Sequence, residues 1–147
     1  MNVVVLVKYV PEPQGTPTLG EDNLLVAHST SSYPCPLDAV NLRMILTLKA
    51  LYPNVPVGYS GHEVGLGPTW AAVAMGATFV ERHITLDRTL PGPDHAASTE
   101  PTAFGAMIAQ LRDIEASLGS GTKRPVPAEV GVAAVARKSL HWAVDLA

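Results

Sequence analysis

The sequence predicts an α/β fold built on a parallel sheet, and three observations lead there. From residue 24 onward, short apolar runs alternate with segments of helical periodicity, in the order strand, helix, strand, helix, strand, helix. Each apolar run gives way to residues capable of chemistry, at positions 28–34, 60–63 and 81–83. The last two clusters are one βα repeat apart. In such folds reactive side chains gather at the carboxyl ends of the strands, so the three clusters converge on one mouth.

The elements follow in order. Residues 3–7, Val-Val-Val-Leu-Val, have the pattern of a strand buried on both faces. No basic region precedes the run and no small-residue cleavage site follows it. It therefore reads as a strand and not a signal peptide, with a cytoplasmic location as the default expectation. Pro11, Pro13, Gly15, Pro17 and Gly20 prevent regular structure, and a poorly ordered segment is expected there.

Residues 24–27 form the next short strand. Asp38 is placed as the N-cap of a helix to about Leu51, with Val40, Met44, Ile45, Leu48 and Leu51 on one face and Pro53 as its stop. Residues 55–59 are a strand. Pro68 and Thr69 open a helix over residues 70–75, rich in alanine, which Gly76 caps. Residues 78–80 are the last strand, and a loop follows over 87–100. Pro101 suits the first position of a helix to Leu118. Phe104, Met107, Ile108, Leu111, Ile114 and Leu118 make its stripe, and Gly119 its cap. A weaker helix is expected around 132–139.

Composition narrows the function classes. With 47% hydrophobic and 16% charged residues, the 147-residue chain is a folded domain and not a disordered one. Ten Lys and Arg against 13 Asp and Glu leave a net charge of -3, which selects neither nucleic acid nor an anionic membrane as a partner. The longest apolar stretch, about residues 70–80, is far short of the ~20 needed to span a bilayer. A single cysteine excludes an internal disulfide and a four-cysteine zinc site. Cys35, between Pro34 and Pro36, reads as structural.

Four groups carry candidate chemistry. His62 and His83 each follow a strand end, 21 positions apart (83 − 62). Neighbouring parallel strands lie ~4.8 Å apart, so two such imidazoles can reach one metal ion. Glu81 lies two residues before His83, hence on the same face, and the set reads as an open divalent-metal site. The alternative is a pair of surface histidines bonded to backbone. Ser29, Thr30, Ser31, Ser32 and Tyr33 suit a carboxylate, phosphate or sugar ligand, or else form a polar turn that caps the next helix. Asp94 binds a sugar hydroxyl, acts as a base, or forms a turn.

Several long motifs then coincide. His28-Ser29-Thr30-Ser31-Ser32-Tyr33-Pro34, Asp38-Ala39-Val40-Asn41-Leu42-Arg43 and Val57-Gly58-Tyr59-Ser60-Gly61-His62-Glu63 come first. Glu81-Arg82-His83-Ile84-Thr85-Leu86-Asp87, Gly92-Pro93-Asp94-His95-Ala96-Ala97-Ser98 and Ala136-Arg137-Lys138-Ser139-Leu140 follow in the same order. Over about residues 24–146 the chain resembles the sialic acid (N-acetylneuraminate) synthase family. The resemblance implies a partial TIM (β/α)8 barrel made of the last three βα units, plus one unrelated N-terminal strand.

It further implies condensation of phosphoenolpyruvate with N-acetylmannosamine or a related sugar aldehyde to a nonulosonic acid. His62 and His83 resemble the ligands of a manganese or magnesium ion, and Glu81 the carboxylate beside it. Ser60 resembles a phosphoenolpyruvate contact, Ser31 and Tyr33 substrate contacts, and Asp94 the residue that holds the sugar. Gly61 stands where many bacterial members carry Asp, as in animal-type enzymes.

The departures shape two further expectations. The family's first five strands, with its phosphate-binding lysines, and its antifreeze-like C-terminal domain have no counterpart in the matched stretches. Sheet edges left open in this way call for self-association or a complementing chain, and a catalytically inactive or merely metal-binding piece is the alternative to an enzyme. Residues 1–23 are set apart as an N-terminal strand and flexible loop. Within them Asn2-Val3-Val4-Val5-Leu6-Val7-Lys8-Tyr9-Val10-Pro11 resembles the opening of the electron transfer flavoprotein β subunit, which implies a nucleotide- or flavin-binding alternative.

Overall fold

In a computed structural model of the chain, the described residues are 24–136 and 138. The expected strand over residues 3–7 and the Pro/Gly-rich segment lie outside them. Three strands, β1 (Val26–Ser29), β2 (Val57–Gly61) and β3 (Val80–Arg82), form one parallel sheet in the order β1-β2-β3. Helix α1 (Met44–Leu51) follows β1, α2 (Gly67–Ala74) follows β2, and α3 (Pro101–Ser117) follows β3. A last helix, α4 (Val130–Ala136), has no buried residue. The strand-helix alternation is the one expected.

Each strand sits about two residues further along the chain than its apolar run. The ladder is made of backbone groups, which pair whatever side chain they carry, so β1 takes in His28 and Ser29, β2 Ser60 and Gly61, and β3 Glu81 and Arg82. Residues placed at the strand ends by hydropathy are therefore partly inside the sheet. Past the strands, the Cys35 N–H donates to the His62 carbonyl (2.9 Å) and the Thr99 N–H to the His83 carbonyl (2.8 Å). Isolated bridges Cys35↔Glu63 and Ile84↔Thr99 continue the parallel pairing there.

Strand alternation divides the sheet into two faces. Val57 and Tyr59 pack with Val40, Ile45, Ala72 and Ala77 in one cluster, and Val80 packs with Val73, Met107 and Leu111 in a second. The face carrying Val57, Tyr59 and Val80 thus lies under the helices. The opposite face carries Ser60, His62, Glu81 and His83. Gly58 belongs to that face as well, where the Phe79 ring occupies the space a Cβ would fill.

Helix boundaries correct two expectations. Asp38 is not the N-cap of a long helix. It lies in a 3-10 turn (Leu37–Ala39), Asn41 has φ 48°, and α1 starts only at Met44. Asn tolerates the left-handed conformation, and a residue in that conformation interrupts the helix. The stripe also loses its ends: Leu51 (65% exposed) and Leu118 (51%) are at the surface, while Ile45, Met107 and Leu111 are buried. The two remaining caps are as expected. Gly76 (φ 96°) follows the α2 C-cap and Gly119 (φ 61°) the α3 C-cap.

Met107 is 1% exposed at the centre of the α2–α3 cluster. Met107→Ala leaves a cavity there and is expected to lower stability by ~2–4 kcal/mol, measured as a shift of the urea midpoint at unchanged slope.

Candidate active site

The mouth of the sheet is built from the two residues that follow the last paired register, Gly61↔Arg82. These are His62 at the end of β2 and His83 at the end of β3. Their ring centres are 5.1 Å apart and the planes cross at 73°. Tyr33 closes a triangle, with its ring centre 4.2 Å from that of His62 and 5.7 Å from that of His83. Tyr33 follows β1 and precedes Pro34 across a cis peptide bond. It is 40% exposed, whereas His62 is 5% exposed.

The tautomer of His62 follows from its partners. Its Nδ1 is 2.9 Å from the Thr30 carbonyl oxygen, which only accepts, so Nδ1–H donates, and in the neutral ring Nε2 then keeps its lone pair. The Ser29 hydroxyl lies 3.5 Å from the same Nδ1. This is the arrangement by which a backbone carbonyl orients a ligating imidazole. The Asp94 carboxylate comes within 3.8 Å of His83 Nδ1, an ion-pair distance when the ring is protonated. Thr85, bonded to His95 (Oγ1···Nδ1 2.8 Å), steadies the loop that carries Asp94.

The separation of the two imidazoles matches that of two rings on one cation, and equally that of an ordinary edge-to-face contact. With metal–nitrogen bonds of ~2.1 Å, two rings on one ion have centres roughly 4.6–5.4 Å apart, and the observed separation falls within that range. Among the described residues no three His, Cys, Asp or Glu side chains come together as a metal-holding group. Glu81 instead accepts a hydrogen bond from the Ser60 hydroxyl (3.1 Å) on the same face. Ser31 is exposed in the turn between Thr30 and Tyr33. The site face thus unites His62, His83, Tyr33 and Asp94 at the rim, with Ser60 and Glu81 below them.

The opposite face holds a group that the sequence reading passed over. Arg82 and Glu63 form an ion pair with side chains 1% and 0% exposed (Nη1–Oε1 2.5 Å). Glu63 also accepts from the Tyr59 hydroxyl (2.7 Å) and the Thr69 hydroxyl (3.4 Å). Arg82 Nη2 donates to the carbonyls of Glu63 (2.9 Å), Gly65 (3.1 Å) and Ala97 (3.2 Å). Gly61 lies against this group: a Cβ there would collide with Arg82 Nη1 and come within 2.8 Å of the Tyr59 ring and 2.9 Å of Glu63 Oε2. The signal was present, since Glu63 and Arg82 continue by steps of two the buried series from Tyr59 and Val80.

Burial and the adjoining Glu63 push the Tyr59 hydroxyl well above the usual tyrosine range. Burial, then the Glu63 charge, also raise the Cys35 thiol, which is buried. This agrees with a structural role for Cys35.

Comparison with known proteins places this architecture. In parallel α/β units ligands bind at the carboxyl ends of the strands, which is where the two histidines lie. The NeuB family model matches residues 7–123, and the chain belongs to that family. It is 46% identical over 108 residues to the human N-acetylneuraminate-9-phosphate synthase, covering 74% of this chain and 30% of that protein. It is 42% identical over 125 residues to the N,N'-diacetyllegionaminic acid synthase of Legionella pneumophila, covering 85% and 35%. The solved N-acetylneuraminic acid synthetase of Leptospira borgpetersenii, in complex with citrate, superposes with a TM-score of 0.67 at 35% identity. That match covers 80% of this chain and 42% of that one. The chain spans about a third of the length of the curated relatives it matches. No helix among the described residues is long and apolar enough to cross a membrane.

Two predictions follow from the buried network. Gly61→Ala forces Arg82 to move and is expected to destabilise by ~1–3 kcal/mol, read by thermal melting. Tyr59 stays protonated in the folded state above pH 10, where the unfolded state loses its proton. Unfolding then releases a proton, so stability falls as pH rises beyond that point. Tyr59→Phe is expected to flatten this alkaline decline in a series of urea titrations.

Proposed function

We propose that the chain carries part of the active site of a nonulosonic acid synthase, formed by the last three βα units of a (β/α)8 barrel. The reaction is the condensation of phosphoenolpyruvate with N-acetylmannosamine or a related sugar aldehyde. The enol carbon bonds to the aldehyde carbon, water is taken up, and phosphate is released. The observation that carries the proposal is the His62–His83 pair, 5.1 Å apart on the site face of a chain that belongs to this family.

In this reading His62 and His83 hold a divalent cation, manganese or magnesium. Such an ion supplies Lewis-acid polarisation of the sugar carbonyl. The Thr30 carbonyl keeps the Nε2 lone pair of His62 turned to the site. Asp94, on the rim beside His83, holds sugar hydroxyls through its carboxylate. Tyr33 packs on the His62 ring and bounds the sugar pocket, with Ser31 beside it. Ser60 contacts phosphoenolpyruvate and is oriented by its bond to Glu81. Among the described residues β1 and β3 each pair with one strand only, which leaves both sheet edges open to further strands, and a second copy or a complementing chain is the proposed source of them.

Phosphate release from phosphoenolpyruvate and N-acetylmannosamine in the presence of manganese tests the proposal. Release is expected to depend on the metal and to fall at least ~100-fold in His62→Ala, the scale of losing a group that positions reactants. Manganese binding without release at high protein concentration would make the chain a binding module. Absence of both would overturn the site assignment.

A further inference from the structure

The histidines stand one residue beyond the last register of the sheet, Gly61↔Arg82. The β2–β3 ladder therefore stops short of the two side chains whose separation matters most. Beside the contact of the two rings, a second link joins the two strands at that level, on the other face. Arg82 immediately precedes His83, and Glu63 immediately follows His62. The guanidinium of Arg82 bonds the Glu63 carboxylate and carbonyl, the Gly65 carbonyl beyond it, and the Ala97 carbonyl in the segment that follows Asp94. One buried cation thus ties together the three pieces of chain that carry His62, His83 and Asp94.

We propose that Arg82, clamped by Glu63, is the positioning residue of this site, setting the mutual placement of His62, His83 and Asp94 without touching substrate. The inference rests on the two-histidine reading above and adds the device that holds it. Ordinary packing does not account for the pair. A buried ion pair loses its hydration, and apolar side chains of similar volume stabilise a fold as well or better. What a guanidinium adds is a rigid planar fork of donors that can bond several carbonyls at once, which neither Met nor Lys reproduces. Its partner is equally constrained, because Glu63 is held by Tyr59 and Thr69 as well. With both side chains dry, salt does not screen the contact.

Two variants of the full chain test the proposal. Glu63→Gln combined with Arg82→Met removes both charges at nearly constant volume, and Arg82→Lys keeps the charge but not the fork. Both are expected to fold, judged by far-UV circular dichroism and cooperative melting. Manganese affinity, measured by calorimetric titration, is expected to weaken by about tenfold or more, the usual effect of removing a group that orients metal ligands. In the metal-free proteins, nuclear Overhauser contacts among the Tyr33, His62 and His83 rings are expected to weaken with it.

Folded variants with unchanged ring contacts would overturn the inference. Failure of the unaltered chain to bind manganese would remove the metal reading alone, because the ring contacts still report on positioning. Should neither variant fold, the Arg82 guanidinium of the unaltered chain decides by nitrogen-15 resonance. Separate, slowly exchanging Nη signals support the clamp, and a freely rotating group overturns it.

Discussion

The ion pair between Glu63 and Arg82 is the contact on which the rest of the mouth depends. It lies at the junction of β2, β3 and the two segments that leave them, and every charge-bearing oxygen and terminal nitrogen in it has a partner in the chain. Burying either charge alone costs several kcal/mol, so the two are obligatory companions. Their presence constrains neighbours in turn. Gly61 has no room for a side chain because the guanidinium fills the space. Any side chain at that position would need a different arrangement beneath it. The glycine and the pair therefore belong together as one local solution.

Parallel sheet geometry converts this buried chemistry into site geometry. Consecutive residues point to opposite faces, so each strand end presents a structural residue and a reactive one side by side. His62 pairs with Glu63 in this way, and His83 with Arg82. The helix-covered face supplies rigidity, through Val57, Tyr59 and Val80 against α1, α2 and α3. The opposite face supplies lone pairs, hydroxyls and carboxylates. A change to one face is transmitted to the other over a single peptide unit, which explains how residues that never meet a ligand can govern its binding.

The architecture was largely legible because hydropathy and punctuation agree along the chain. Proline at the start of α3, glycine after α2 and α3, and three apolar runs mark elements that local physics already favours. The strand ends were less legible, since backbone pairing carries on through Ser60 and Glu81 where hydropathy stops. The start of α1 was misplaced because the left-handed Asn41 outweighs a good N-cap at Asp38. At the site, the spacing of His62 and His83 anticipated their meeting. The partner of Glu81 did not follow from spacing, because it depends on the register that sets Ser60 opposite it.

By itself the sequence determined the order of strands and helices, the candidate residues at the strand ends and the family to which the chain belongs. Those properties reside in local periodicity and in motifs that are contiguous along the chain. Only the tertiary structure decided which face lies under the helices, the 5.1 Å approach of the two imidazoles, the bond that orients His62 and the clamp behind them. Each of these depends on register between strands and on burial from water. Both arise when segments some twenty residues apart are brought together, and neither is written in the neighbours of any one residue.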